Sequence, residues 1–210
     1  MPARLVTGVN CAMVSAVTAM APPKRTLATA ADAPPAPRSY WVVPQWLLAG
    51  AYPSNPDVGP KRIERVTALW KAGIRTFVNL VEEDARPWGK PFSLYAEDLD
   101  AMTTPDTRAS CIRFPIDDEK IPSVSGLRSV LDTIDLSLDA GRPVYVHCFG
   151  GMGRTATVVG CWLLRHGLAS KDDVLAVITR LRIADHERHD WAAPENDTQR
   201  DFVKAWTRGA

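Results

Sequence analysis

Residues 144–165 read VYVHCFGGMGRTATVVGCWLLR, a β-branched run, a glycine-rich turn and a long apolar run. The first run, Val144–Val146, predicts a buried strand. The last run is apolar almost all round from Thr155 to Arg165, which predicts a buried helix that ends before Gly167. A buried strand that turns directly into a buried helix is typical of an α/β protein.

The sequence on both sides continues this alternation of strands and helices. Pro60 suits the first turn of a helix that stops at Gly73, and Ser123 or Ser125 can cap a later one. Strands are predicted at 40–49 with a break at Pro44, and at 74–80, 111–116 and 144–146. Helices are predicted at 60–72, 94–99, 127–138, 155–165, 174–181 and 202–206. The strands at 111–116 and 144–146 and the helix between them form a strand–helix–strand unit, so the two strands are expected to pair in parallel. The predicted fold is α/β with three layers, a mostly parallel central sheet flanked by helices.

Composition and charge limit the classes of function. The chain has 210 residues, is 46% hydrophobic and carries a formal net charge of +1. One domain with an ordinary core is therefore expected, without a global field for nucleic acid or for an anionic membrane. Four scattered cysteines give neither a disulfide framework nor a zinc motif, and Cys111 and Cys161 are predicted to be buried.

Residues 1–39 differ in composition from residues 40–210, which we predict to form the folded domain that carries the function. Leu5–Ala21 is too short and too polar to span a bilayer, and it only weakly resembles a secretory signal. Ala21–Pro37 is rich in alanine and proline, so it is predicted to be a linker that builds no core. We expect residues 1–39 to be a disordered or weak targeting extension of a cytoplasmic protein, with export as the alternative.

The turn between Cys148 and Arg154 has the composition of an anion cradle. Three of its five interior residues are glycine, which lets the backbone curl and aim successive N–H groups inward. The positive end of the following helix adds to this field and favours a thiolate at Cys148. Arg154 stands where a nucleotide-binding loop needs lysine, so that interpretation fails. The residues expected to bind the substrate are Phe149, Gly150, Gly151, Met152, Gly153 and Arg154.

Two neighbours of the turn complete the expected site. Thr155 can donate its hydroxyl to the sulfur of Cys148, and His147 is better placed to brace the turn than to act as a base.

Upstream, Asp117, Asp118 and Glu119 lie on a predicted loop, and crowding favours the protonated form of at least one of them. One carboxyl can serve as general acid and then as general base, but the residues alone do not choose among the three.

Cys148, five intervening residues, Arg154 and Thr155, preceded by His147, resemble the signature of the protein tyrosine phosphatase superfamily. The position of this signature late in the domain resembles the dual-specificity branch. Its Phe-Gly-Gly-Met-Gly interior is similar to the cyclin-dependent-kinase-associated phosphatases. The resemblance covers residues 40–206. It implies a phosphoprotein phosphatase that forms a phosphocysteine intermediate and needs no metal or other cofactor.

The resemblance also assigns residues outside the signature. Dual-specificity enzymes carry a Pro-Ile-x-Asp stretch, which here ends at Asp118, so the resemblance selects Asp118 over Asp117 as general acid. Gln199 matches one position of a water-positioning Gln-Thr-x-x-Gln loop, whereas Glu195 departs from it. The polar run from His186 to Asp190 lacks metal-ligand spacing and is predicted to be a solvated loop.

Two other functions remain open from the sequence. The first is an inositol phosphate or phosphoinositide phosphatase, which tends to place cations inside the signature, where residues 149–153 offer none. The second is a non-catalytic phosphate-binding module, which usually lacks one of the reactive residues. Cys148, Arg154 and Asp118 are all present.

Overall fold

Five strands form one sheet in the computed structural model, which describes residues 25–54, 60–85 and 95–207. They are β1 (Ser39–Val43), β2 (Leu47–Gly50), β3 (Thr76–Asn79), β4 (Ser110–Arg113) and β5 (Val144–His147). The order across the sheet is β1-β2-β5-β3-β4. β1 and β2 are antiparallel, and the other neighbours are parallel. The predicted mostly parallel sheet is therefore confirmed.

Among the described residues, six α-helices flank the sheet. They are α1 (Pro60–Lys71), α2 (Ala96–Met102), α3 (Val124–Asp139), α4 (Arg154–Arg165), α5 (Val174–Leu181) and α6 (Asp197–Ala205). α1 contacts α2, whereas α3, α5 and α6 gather around α4. In the part of the chain that the structure describes, no helix is both long and apolar enough to cross a bilayer.

The stretch 40–49 forms two strands, β1 and β2, divided at the predicted break. Pro44 cannot donate a ladder hydrogen bond, and the chain turns after it through Gln45, whose φ is +65°. A difference from the prediction concerns the unit formed by β4, α3 and β5. β4 and β5 run parallel as expected, but β3 lies between them, so they do not pair directly.

The alanine- and proline-rich segment contributes to the core, against expectation. Ala28 and Ala36 are buried, and the Ala28 N–H donates to the carbonyl of Val42 at 3.1 Å. This hydrogen bond ties the segment to β1, because β1 is an edge strand with an unused side. The signal-like residues 1–24 lie outside the described residues.

The buried character of α4 follows the sequence pattern. Every residue from Arg154 to Leu164 is buried, including Cys161, as predicted. The prediction of a buried Cys111 is wrong, because β4 is the other edge of the sheet and its residues are mostly exposed. α4 therefore forms the centre of the helical layer and fixes the position of its own N-terminus against the end of β5.

Candidate active site

The turn from Cys148 to Arg154, called the signature loop below, lies where β5 ends and α4 begins. Gly151 has a φ of +79°, and a Cβ on it would lie 2.6 Å from the carbonyl carbon of Gly50. Only glycine combines this backbone conformation with so close an approach to the end of β2. The N–H of Tyr52 donates to the carbonyl of Phe149 at 3.0 Å and holds the other side of the loop.

The sulfur of Cys148 lies inside this loop. Cys148 is 3% exposed, and its Sγ accepts a hydrogen bond from the N–H of Gly151 at 3.3 Å. The sulfur also lies close to the N-terminus of α4, the positive end of the helix. Both features stabilise negative charge at this position.

The guanidinium of Arg154 joins three separate segments. Arg154 is 3% exposed, and its Nη1 donates to Glu82 Oε2 at 2.7 Å and to the carbonyl of Ile116 at 2.8 Å. Its Nη2 lies 2.7 Å from Asp118 Oδ1. Burial lowers the pKa of Arg154, but Cys148, Asp118 and Glu82 outweigh burial and raise it overall. Arg154 therefore keeps its charge although it is almost inaccessible.

Of the three clustered carboxylates, Asp118 is the one that contacts Arg154. Its backbone N–H donates to Glu82 Oε1 at 2.8 Å, so Glu82 holds both Arg154 and Asp118. Asp117 instead forms the turn, with its carbonyl accepting the N–H of Lys120. The side chain of Asp118 remains 68% exposed. Glu82 was missed by sequence reasoning, because it is the first of three consecutive acidic residues in a polar stretch and no local feature distinguishes it from the other two.

Gln199 links the signature loop to two other loops. It is fully buried; its Oε1 accepts the N–H of Glu195 at 3.1 Å, and its Nε2 donates to the carbonyl of Lys120 at 3.3 Å. A Cβ on Gly153 would lie 3.0 Å from both amide atoms of Gln199. The amide is thus occupied as a brace in this structure, and a role in positioning water stays a prediction.

Glu195 lies beside the same glycine. A Cβ on Gly153 would lie 2.8 Å from Glu195 Oε2. Burial raises the pKa of Glu195, and the nearby Asp118 and Glu119 raise it further. A third carboxyl, besides Asp118 and Glu82, therefore borders the signature loop.

His147 lies behind the loop, fully buried. Its Nδ1 lies 3.3 Å from the carbonyl of Cys148 and its Nε2 lies 2.6 Å from the hydroxyl of Tyr95, which is also 3.2 Å from Cys111 Sγ. Burial lowers the pKa of His147 to about 3, so the ring is neutral at neutral pH. A neutral ring that donates through Nδ1 and accepts at Nε2 satisfies both contacts. These are the contacts of a bracing residue. Tyr95 was missed because it follows a stretch without periodicity.

One predicted contact with the sulfur, that of Thr155, looks different in the structure. Thr155 Oγ1 donates to the carbonyl of Gly50 at 3.3 Å, so its predicted hydrogen bond to sulfur is replaced by one to β2. Met152 is buried and lies against Gly150, while Phe149 is partly buried and packs on the core. The side chains of Phe149 and Met152 thus pack on the protein, and the contact of these two residues with substrate stays a prediction.

We also searched the described residues for side chains that could together bind a metal ion. Across residues 25–54, 60–85 and 95–207, no three His, Cys, Asp or Glu side chains converge on a point that could hold a metal ion. His186 and His189 belong to that described part.

Known proteins are similar to the part of the chain that contains the signature loop. The family model described as "polymorphic toxin system, DSP-PTPase phosphatase" matches residues 58–168. An Arabidopsis thaliana protein named phosphatidylinositol 3,4,5-trisphosphate 3-phosphatase and protein-tyrosine-phosphatase PTEN1 is 30% identical over 97 residues. These are 45% of this chain and 22% of that protein. Matches span 22% to 57% of the length of the curated relatives, so this chain corresponds to only part of each.

Solved structures share the fold. Tk-PTP in its active form is 23% identical with a TM-score of 0.56, covering 76% of this chain and 89% of that chain. The kinase associated phosphatase KAP is 18% identical with a TM-score of 0.57, covering 75% of this chain and 83% of that one.

Proposed function

The chain belongs to the DSP-PTPase phosphatase family of polymorphic toxin systems, in the dual-specificity branch of the protein tyrosine phosphatase superfamily, and we propose that it dephosphorylates phosphoproteins. The proposed substrate carries phosphotyrosine, with phosphoserine and phosphothreonine as further substrates. The proposed reaction needs no metal and passes through a phosphocysteine intermediate. Cys148 is the nucleophile, Arg154 binds the phosphate and Asp118 is the general acid and base.

In the first step the thiolate of Cys148 attacks phosphorus. Phosphate oxygens accept hydrogen bonds from the signature-loop amides and from the Nε–Nη2 edge of Arg154, whose Nη1 is held by Glu82. A phosphate oxygen at Nη2 takes the place of Asp118, which leaves that carboxyl beside the departing oxygen. The S–P bond forms, the P–O bond to the leaving group breaks, and Asp118 gives its proton to the leaving oxygen.

In the second step water hydrolyses the phosphocysteine. Asp118, now ionised, accepts a proton from water as the water oxygen bonds to phosphorus. The S–P bond breaks, and the sulfur leaves as a thiolate stabilised by the N–H of Gly151. Inorganic phosphate is released, and Asp118 is again protonated for the next cycle.

The observation that carries this proposal is the contact between Arg154 and Asp118. One guanidinium, 3% exposed, belongs to the loop that surrounds Cys148 and also lies 2.7 Å from the carboxyl of Asp118. A nucleophile, an anion-binding cation and a proton donor are therefore adjacent, as phosphoryl transfer requires.

The experiment measures hydrolysis of p-nitrophenyl phosphate in the presence of EDTA. We expect turnover by the wild type and none by Cys148→Ser, because serine is not ionised at neutral pH. Cys111→Ser is the matched control: it also replaces a free cysteine, but one on an edge strand, and full activity is expected. Unchanged turnover by Cys148→Ser would eliminate the proposed mechanism.

A further inference from the structure

Arg188 lies at the open edge of the signature loop, although it comes from the polar run after α5. Its Nη1 lies 3.8 Å from the point where a Cβ of Gly150 would be. Gly150 is only half-buried. The sequence offers no cation inside the signature loop, but folding brings one to its rim. Arg188 makes no ion pair with an acidic side chain in the described part of the chain.

The position of Arg188 is fixed by its surroundings. Arg182, 1% exposed, donates through Nη2 to the carbonyl of Arg188 and through Nη1 to that of Trp191, each at 2.6 Å. The guanidinium of Arg188 lies 4.8 Å from the ring centroid of Trp191. A buried arginine thus holds the backbone, and an indole ring orients the side chain. This preorganisation lowers the entropic cost of binding an anion at Arg188.

A second arginine lies beside the same glycine. Arg38 is 5% exposed and donates through Nη2 to the carbonyl of Gly150 at 3.4 Å, while its Nε has no hydrogen-bond partner. Burial lowers the pKa of Arg38, and Arg188 lowers it further, whereas Glu187, 3.9 Å from Nε, and Asp185 act in the opposite direction. Arg188 in turn acts on Glu195, whose pKa it lowers against the effect of burial. Three carboxylates thus offset part of the repulsion between the two arginines. An anion beside Arg188 would reduce their repulsion.

From this geometry, and resting on the proposed function, we propose that Arg188 forms a second anion subsite for phosphopeptides. It would accept a carboxylate or a second phosphate on a residue next to the phosphorylated one. Trp191 favours a peptide as the occupant, because its indole is 54% exposed and offers an apolar surface beside the cation. An inositol polyphosphate presents only the C–H groups of its ring to such a surface, a smaller apolar area than the side chains of a peptide.

The test measures binding, so that it does not depend on turnover. Cys148→Ser protein is titrated into fluorescein-labelled phosphotyrosine peptides that carry Glu, Gln or phosphoserine on both sides of the phosphotyrosine. We expect the Glu and phosphoserine peptides to bind about fivefold more tightly than the Gln peptide at low salt, the size of one partly exposed ion pair. Adding Arg188→Ala should abolish this preference, whereas adding Arg180→Ala, which removes an exposed arginine of α5, should leave it intact.

Other outcomes separate this proposal from the proposed function. Equal binding of the three peptides, or a preference that survives Arg188→Ala, would overturn the subsite. So would an Arg188-dependent preference for inositol polyphosphates over all the peptides. In the active protein, Arg188→Ala should change kcat/KM for p-nitrophenyl phosphate less than twofold, and an equal loss on every substrate would also overturn the proposal. Failure of the wild type to hydrolyse p-nitrophenyl phosphate would instead count against the proposed function.

Discussion

The signature loop and the acidic loop, residues 117–119, hold their reactive groups in different ways. Cys148 is 3% exposed, and its loop is fixed by neighbouring backbone, with Gly151 against the end of β2. Asp118 is 68% exposed and is held by contacts from distant segments, chiefly through Glu82. Anion binding thus depends on local backbone geometry, whereas proton donation depends on a few long-range polar contacts. Changes in the two loops should therefore have different consequences.

The largest effect is expected at Gly151. Gly151→Ala places a Cβ 2.6 Å from the carbonyl carbon of Gly50, so the loop must move. We expect kcat/KM for p-nitrophenyl phosphate to fall at least about 10²-fold, as misplacement of reacting groups by an ångström does. Gly73→Ala is the control: Gly73 also has positive φ, but nothing lies within 4 Å of its Cβ position. It should cost about 1 kcal/mol of stability and leave activity unchanged. Equal losses of activity would show that backbone conformation alone, not the contact with β2, matters.

The next effect concerns the acidic loop. Asp118→Asn should lower kcat about 10²-fold, because asparagine cannot donate a proton to the leaving oxygen. The loss should be greater for phenyl phosphate than for p-nitrophenyl phosphate, since phenoxide is the poorer leaving group. Asp117→Asn, the adjacent control, should retain activity within about twofold because Asp117 makes no contact with Arg154. The reverse ranking would assign proton donation to Asp117.

The signature loop and the acidic loop also differ in how much of their structure could be predicted from the sequence. The signature loop was predictable because its glycines, Cys148 and Arg154 are contiguous, and the helix that supports it is apolar throughout. Strand and helix positions followed from local periodicity. The residues alone could not distinguish Asp117 from Asp118 as general acid. Only the resemblance to the family selected Asp118. The structure distinguishes the two aspartates by a contact across the fold, between Asp118 and Arg154, and the role of Asp118 as general acid stays a prediction.

Other features were invisible because they depend on which segments become neighbours. Glu82 and Tyr95 each act through partners far away in sequence, Arg154 and His147. The exposure of Cys111 follows from the edge position of β4, which an apolar strand pattern does not reveal. Arg188 reaches the signature loop only through the fold, so a run interpreted as a solvated loop contains the proposed second subsite.

A smaller effect is expected at Glu82, which holds Arg154 and the backbone of Asp118 without contacting the reacting atoms in the proposed mechanism. Glu82→Gln keeps the shape but removes the charge, and kcat should fall about tenfold, the cost of one weakened charge-assisted contact. A purely structural role would lower activity equally for both leaving groups. A positioning role should give a greater loss for phenyl phosphate, as in Asp118→Asn. Glu83→Gln, at the adjacent residue, is the control.

The smallest effect on activity is expected for substitution of His147. This substitution should instead change how the free energy of unfolding depends on pH. Burial lowers the pKa of His147 from 6.5 to about 3, so the unfolded chain binds a proton there below pH 6.5 and the folded chain does not. The stability from keeping this ring neutral is present above pH 6.5 and is lost as pH falls towards 3. The slope is about 1.4 kcal/mol per pH unit.

Urea unfolding between pH 4 and 7 tests this dependence. His147→Gln can still accept a hydrogen bond from Tyr95, as Nε2 does in the wild type, and it has no titrating group. The free energy of unfolding of this variant should fall less steeply with decreasing pH than that of the wild type. Parallel curves for the two proteins would contradict the buried, neutral ring.

The central claim is that the signature loop makes Cys148 the nucleophile for phosphate. Its most direct test is rapid acid quenching of Asp118→Asn during turnover of p-nitrophenyl phosphate, followed by mass spectrometry of its peptides. We predict one added phosphate on the peptide that contains Cys148, because the second step lacks its base. Release of p-nitrophenol without phosphate on that peptide, under quenching that preserves a phosphocysteine standard, would contradict the account.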